Sequence, residues 1–235
     1  MQIVILAGGL ATSLGPLTEK VPKSMIPTRG KPFLWYQIEL LKKNGLTDIL
    51  LCTGHLASQI TDYFGDGEEF GVRINYSEEK EELLGTGGAL KRAENLLEDE
   101  FFVMYGDSYL ILDYQEIARY FHKFDRLGLM VVYKNHNRFD ESNVVVKDGF
   151  VKVYDRRNPG RELIYIDEGV SILKKEILCG FPSHTHFPLG RIFQRLISGG
   201  QLLAFETKQR FYEIGSAEGL NDFRRLIPRE ERMRR

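Results

Sequence analysis

The stretch Leu6-Ala7-Gly8-Gly9-Leu10-Ala11-Thr12-Ser13-Leu14-Gly15-Pro16-Leu17-Thr18-Glu19-Lys20-Val21-Pro22-Lys23 continues an apolar strand, Gln2 to Leu6, into a glycine-bearing loop. Paired glycines at a strand end let backbone N–H groups approach an anion with no Cβ in the way, the common physical basis of phosphate-binding loops. Neither standard nucleotide motif is present: GxxxxGK[ST] is missing, and Gly8-Gly9 lacks the spacing of GxGxxG. Taken alone, the glycine pair fits a structural turn as well as a ligand loop.

Working outward, the pattern is that of a parallel sheet. A helix over Phe33 to Lys43 opens after Gly30-Lys31-Pro32 and stops at Asn44-Gly45, and a second strand follows at Asp48 to Cys52, which completes a βαβ unit. The alternation continues with a helix at Ala57 to Phe64, a strand at Arg73 to Tyr76, a helix from about Gly88 to Leu97 and a strand at Phe101 to Tyr105. After a helical stretch, Asp113 to Phe124, short strands are expected at Leu129 to Tyr133, Asn143 to Lys147 and Phe150 to Tyr154, with Lys147-Asp148-Gly149 as a hairpin turn. A helix at Leu189 to Ile197, a strand at Leu202 to Phe205 and a helix from near Ser216 complete the reading.

Composition narrows the function. The 235 residues are 43% hydrophobic and 28% charged, enough apolar material for one core, and mixed α/β folds of about 200–250 residues commonly form one domain. With 32 Lys+Arg against 33 Asp+Glu, nothing draws the chain to nucleic acid or an anionic membrane, so phosphate binding has to be local. Cys52 and Cys179 lie far apart outside any metal-ligand spacing and read as buried thiols in a reducing cytosol. No run reaches the roughly 18 apolar residues of a membrane span. Met1-Gln2 leads straight into the first strand without a basic leader, so the expected location is cytoplasmic. The five histidines are scattered and are assigned to surface or core.

The whole loop string is more specific than its glycines. It resembles the signature of the sugar-1-phosphate nucleotidyltransferases, whose first strand runs into a GGxGTRLxPLT loop and a VPKPM-like segment ending in a phosphate-binding lysine. Here that segment is Val21-Pro22-Lys23-Ser24-Met25-Ile26-Pro27, and Gly30-Lys31-Pro32-Phe33 is similar to the family's GKP helix start. Three more stretches match in order, so the resemblance spans essentially residues 2 to 225: Leu84-Gly85-Thr86-Gly87-Gly88-Ala89-Leu90, Tyr105-Gly106-Asp107-Ser108 and Phe211-Tyr212-Glu213-Ile214-Gly215-Ser216.

The resemblance implies a Rossmann-like, glycosyltransferase-A-like α/β fold: a mixed, mainly parallel sheet flanked by helices, with a small antiparallel sugar-binding insertion. It implies one nucleotidyltransferase domain over 1–235, nucleotide-binding to about 110 and sugar-phosphate-binding over about 111–225, followed by a charged tail at 229–235. Nucleotide binding would fall to Leu6, Ala7, Gly8, Gly9, Ser13, Lys23, Gly85 and Thr86, and a Mg²⁺ ion to Asp107 and Glu213. A carboxylate following an apolar strand, as Asp107 does, is an awkward structural choice without a cation partner. Glu213 stands where an Asp is commoner and keeps the oxygen ligand that Mg²⁺ requires. Arg156, at the end of Val153-Tyr154-Asp155-Arg156, takes the place of a lysine that neutralises the sugar phosphate; an Arg can grip phosphate as a fork. Asp167-Glu168-Gly169-Val170 resembles the segment lining the sugar pocket, with Glu168 as a hydroxyl acceptor and Gly169 leaving room for the ring. Asn143 is open to a sugar contact or to a turn or edge role.

The activity this implies is attack of a sugar 1-phosphate on the α-phosphorus of a nucleoside triphosphate, with Lys23, Asp107 and Arg156 as the catalytic set and no general base. Ala11-Thr12-Ser13 stands where the family has Gly-Thr-Arg, so the loop lacks a triphosphate-gripping Arg, with Lys20 and Arg29 as nearby substitutes. That departure keeps open a nucleotide- or sugar-phosphate-binding regulatory relative with weak or no turnover. A Rossmann dehydrogenase is disfavoured by the missing GxGxxG. The nucleobase, the sugar and a homo-oligomeric state are left open.

Overall fold

The computed structural model describes residues 1–9, 19–156 and 162–232, with side chains described as far as 227. Ala11, Thr12 and Ser13 lie outside the described residues. In chain order the strands are β1 (Gln2–Leu6), β2 (Pro27–Thr28), β3 (Lys31–Pro32), β4 (Asp48–Thr53), β5 (Arg73–Glu78), β6 (Glu100–Tyr105), β7 (Ser108–Tyr109), β8 (Gly128–Lys134), β9 (Val144–Lys147), β10 (Phe150–Tyr154), β11 (Tyr165–Lys174), β12 (Leu202–Thr207) and β13 (Tyr212–Glu213). The helices are α1 (Phe33–Lys43), α2 (Ala57–Phe64), α3 (Gly85–Arg92), α4 (Tyr114–Phe121), α5 (Gly190–Ser198) and α6 (Ala217–Arg232).

Nine strands form one mixed sheet in the order β5-β4-β1-β6-β11-β8-β12-β10-β9. Its first four strands are parallel, as are β8 and β12, while β11 runs antiparallel to both neighbours and joins the two parallel groups. Strand residues alternate between two cores: Ile3, Ile5, Ile49, Leu51, Phe102 and Met104 pack under α1, α2 and α4, whereas Val4, Leu6, Leu50, Phe101 and Val103 pack under α3 and α5. Both faces are covered by helices, so these strands read as unbroken apolar runs. The expected antiparallel hairpin, β9 to β10, turns at Asp148 and Gly149, both at positive φ as a tight primed turn requires, and β10 adds to the main sheet through β12.

Several elements differ from expectation, three of them for evident local reasons. The helix expected over 88–97 starts earlier, at Gly85, and ends at Arg92, with a separate 3-10 turn at Glu94–Leu96. Asp113 caps α4 by accepting from the Glu116 N–H at 2.9 Å, so it precedes the helix instead of starting it. The central strand β11 has no counterpart in the sequence reading, because Asp167-Glu168-Gly169 interrupts its apolar pattern.

That interruption is a bulge. The register of β11 against β8 shifts between Asp167 and Ser171, and Gly169 adopts φ +87°. A Cβ there would lie 2.8 Å from the Tyr105 ring and 2.9 Å from Ser108 Oγ, so Gly169 is set by backbone conformation and by close packing on β6 and β7. Gly169→Ala is expected to cost about 1–3 kcal/mol of stability, lowering Tm by about 2–10 °C in a thermal melt. An unchanged Tm would contradict the constraint.

Candidate active site

Strand ends converge at one edge of the sheet. Leu6 pairs with Tyr105, so β1 and β6 finish level, and antiparallel β11 carries Asp167, Glu168 and Gly169 back across the same edge. Open α/β sheets place ligands at such carboxyl edges. The turn after β6 is held from three sides. The Gly106 N–H donates to the Leu6 carbonyl at 3.0 Å, an approach so close that a Cβ would sit 2.8 Å from that oxygen. The Ile214 N–H donates to the Asp107 carbonyl at 3.0 Å, beside the β7–β13 ladder that pairs Ser108 with Glu213. From α1, the fully buried Gln37 amide donates to the Tyr105 and Ser108 carbonyls at 3.1 and 2.7 Å.

The side chain presented by this turn is Asp107. Its Oδ2 accepts from Lys23 Nζ at 2.5 Å, and Lys23 is delivered by the short 3-10 turn Lys23–Met25 that follows Pro22. Two cavities meet here, sharing Thr86, Tyr105 and Asp107 as a common wall. The smaller, about 320 Å³, is lined by Leu6, Ala7, Gly8, Gly9, Lys23 and Gly85, so it gathers every described residue proposed for the nucleotide. The larger, about 500 Å³, takes Asn143, Arg156, Glu168, Gly169 and Glu213. Both volumes lie in the range of small-molecule sites.

On the smaller side, Gly85 has φ +70°, and the Gly87 and Gly88 N–H groups both donate to the Phe187 carbonyl, at 2.9 and 3.1 Å. Thr86 Oγ1 accepts from the Leu189 N–H at 2.8 Å, which locks this turn onto the segment before α5. Glu79, absent from the sequence reading, is a buried carboxylate in the same wall. Its Oε1 accepts from the Leu84 N–H at 2.7 Å, and burial pushes its pKa up while Leu84, Arg92 and His186 pull it back. His186 also lines this cavity, so one histidine assigned to surface or core belongs to the candidate site. Cys52 is buried in the same wall with its thiol pushed up to about 12 by burial, whereas Cys179 is exposed, contrary to the expectation of two buried thiols.

On the larger side, Arg156 is half-exposed, lies 3.8 Å from Asp167 and stacks over the Tyr105 ring at 5.5 Å. Asp167 is buried and fully served: the Gly169 N–H donates to Oδ1 at 2.9 Å and the Tyr154 hydroxyl to Oδ2 at 3.3 Å. Burial raises its pKa, and Arg156 with these two donors opposes the shift. The Asn143 side-chain oxygen accepts from the Asp167 N–H at 2.9 Å, so that oxygen serves the strand and the side-chain NH₂ is what Asn143 can offer a ligand. The Glu213 carboxylate accepts from the Gly215 N–H and, at 2.7 Å, from the Ser216 hydroxyl, so it is held on the turn that opens α6. Of the proposed substitutes for the loop Arg, Arg29 reaches instead to the Arg224 carbonyl at 3.4 Å.

Neither Gln37 nor Glu79 carries a local sequence signal, since one sits mid-helix and the other in an acidic stretch. Gln37→Leu would leave the Tyr105 and Ser108 carbonyls without their donor. Urea denaturation is expected to show a loss of about 1–3 kcal/mol, and undiminished stability would remove Gln37 from the clamp.

Known proteins resemble the chain in sequence and in fold. Residues 2–148 match the family model described as nucleotidyl transferase. The chain is 30% identical over 95% of its length, and 98% of the relative's, to a D-glycero-alpha-D-manno-heptose 1-phosphate guanylyltransferase from Campylobacter jejuni. It is 30% identical over 85% of its length to a UTP–glucose-1-phosphate uridylyltransferase from Synechocystis sp., of which it spans 56%. The crystal structure of HddC from Yersinia pseudotuberculosis superposes with a TM-score of 0.81 at 29% identity, covering 96% of this chain and 99% of that one. The chain belongs to the nucleotidyl transferase family, among its sugar-1-phosphate nucleotidyltransferases.

Proposed function

We propose that this protein transfers GMP from GTP to a sugar 1-phosphate, releasing pyrophosphate. The observation that carries the reading is Asp107 on the wall shared by two cavities, one lined by the glycine loop and the other by Arg156. An acceptor phosphate oxygen entering from the larger cavity would attack the α-phosphorus in line, forming one P–O bond as the bond to pyrophosphate breaks. That oxygen is already anionic near neutral pH, so no general base is nominated. Lys23 and Arg156 offset the repulsion between the two polyanions, and positioning supplies the rest.

A Mg²⁺ ion fits the donor set. Asp107 and Glu213 offer hard anionic oxygens from adjoining turns, both reach the larger cavity, and among the described residues Asp107 Oδ1 has only a 3.5 Å contact from Ser108. No group of three or more His, Cys, Asp or Glu converges among the described residues, which suits an ion completing its shell with phosphate oxygens and water. When bound, the metal would neutralise charge on the transferring phosphoryl group.

The base assignment rests on Glu79. A carboxylate accepts from adjacent N–H donors, and guanine presents two, at N1 and N2, where uracil and thymine present one. The guanylyltransferase named for Campylobacter jejuni supports the same choice.

Pyrophosphate release, measured with four nucleoside triphosphates and a panel of sugar 1-phosphates, is expected to be fastest with GTP and abolished by Asp107→Ala. Glu79→Gln should narrow the preference for GTP by about 10–100-fold, the discrimination of one good bidentate contact. Turnover that survives Asp107→Ala would refute the site. Because Ser13 stands for the family's Arg, Ser13→Arg is the test of the regulatory alternative: activity only in that variant would make the natural chain a binding relative that lacks its phosphate clamp.

A further inference from the structure

Arg156 is held by a frame of its own. Its guanidinium lies over the rings of both Tyr105 and Tyr154, at 5.5 and 5.9 Å, and its Nη2 is 3.8 Å from Asp167 Oδ2. An Arg stacks on aromatic faces as a plate, where a lysine offers a point charge on a flexible stem. Tyr154 is wedged in turn against α5. Phe193 meets its ring edge to face at 5.2 Å, a Cβ on Gly190 would lie 3.1 Å from that ring, and the Gln194 side-chain amide donates to the Tyr154 carbonyl at 2.6 Å.

The carboxylate beside Arg156 is arranged to attract it without competing for its donors. The Asp167 side chain is 1% exposed, too little for a ligand to meet. The Oδ2 atom nearest Arg156 is the one that the Tyr154 hydroxyl serves at 3.3 Å, while the Gly169 N–H serves Oδ1. Both donors favour the ionised carboxylate. At 3.8 Å its charge draws the guanidinium from beyond hydrogen-bond distance, and among the described residues no hydrogen bond takes up the Arg156 N–H groups. Arg156 is 53% exposed and lines the larger cavity, so its fork meets that cavity already oriented.

We propose that Tyr154 and Asp167 are positioning residues that preset the Arg156 guanidinium as a two-donor fork for the acceptor phosphate. Asp167 supplies the opposing charge, and Tyr154 supplies a ring face for Arg156 and a hydroxyl for Asp167. The proposal rests on the acceptor assignment above and deepens it. A phosphate monoester has three terminal oxygens; a fork that takes two leaves the third to attack the α-phosphorus. Orienting the fork in advance removes an ordering cost from acceptor binding.

The test is a double-mutant cycle in which Tyr154→Phe and Asp167→Asn are each made in the wild-type chain and in Arg156→Ala. Kinetics use GTP and the sugar 1-phosphate that the pyrophosphate-release panel finds fastest, and inorganic phosphate is titrated calorimetrically as a probe that needs no turnover. In the wild-type background each variant is expected to raise the acceptor KM about 3–10-fold and to leave the GTP KM within about twofold. Arg156→Ala itself should raise the acceptor KM about 10–100-fold, the loss of a charge-assisted hydrogen bond, and in that background neither variant has a further effect. Phosphate affinity follows the same pattern. Arg156→Lys keeps the charge but loses the plate and the fork, and it should weaken the acceptor about tenfold.

A merely structural role gives a different result, because damage to the fold persists without Arg156 and spreads to GTP through Tyr105, which lines both cavities. Equal losses in the two backgrounds, or a GTP KM that rises with the acceptor KM, would overturn the proposal. So would an Arg156→Lys chain that equals wild type. Tyr154→Phe removes one hydroxyl only, so it carries the test even if Asp167→Asn fails to fold. No turnover with any sugar 1-phosphate would sink the acceptor assignment, while the phosphate titration still decides whether Tyr154 and Asp167 act through Arg156.

Discussion

The approach of the Gly106 backbone to the Leu6 carbonyl is the constraint on which the site depends. Two parallel strands have to end side by side with no Cβ between them, so that the next residue, Asp107, stands where two cavities meet. Everything around that contact maintains it. Gln37 clamps the turn from α1, Ile214 pins it from just after β13, and the bulge at Gly169 lets β11 close over it. These are long-range contacts made by buried polar groups, which fix one geometry because the alternative is an unpaired group in a dry interior.

Charge is distributed unevenly across this frame. The smaller cavity holds Lys23 beside backbone amides, a setting suited to a triphosphate. The larger one is acidic, and its single described guanidinium stands at the boundary near Tyr105. A phosphate is therefore welcome at the junction and unwelcome deeper in. That gradient would orient a sugar phosphate with its phosphate toward Asp107 and its ring toward the acidic end of the larger cavity, an arrangement that needs no moving base and relies on positioning.

Much of the frame was legible because its signals are local. Short apolar runs between amphipathic helices announce buried parallel strands, and Asp148-Gly149 announces a primed turn. β11 was not legible, because a strand at the centre of a sheet is not expected to carry Asp-Glu-Gly; the residues that disguise it are the ones that line the cavity. The same bulge gives Gly169, which lines the larger cavity, a constraint that the sequence does not display: a positive φ and a close contact with Tyr105. Gln37 and Glu79 were hidden for a different reason. Their roles come from carbonyls and amides far along the chain or across a loop, which no window of sequence displays.

The central claim is that donor and acceptor react directly across Asp107, with no covalent enzyme intermediate. The most direct measurement is the stereochemical course at the α-phosphorus, using one diastereomer of GTP carrying sulfur at that position and determining the configuration of the sugar nucleotide formed. A single in-line displacement predicts inversion. Retention would require two displacements, and with them a nucleophilic residue for which this account has no place.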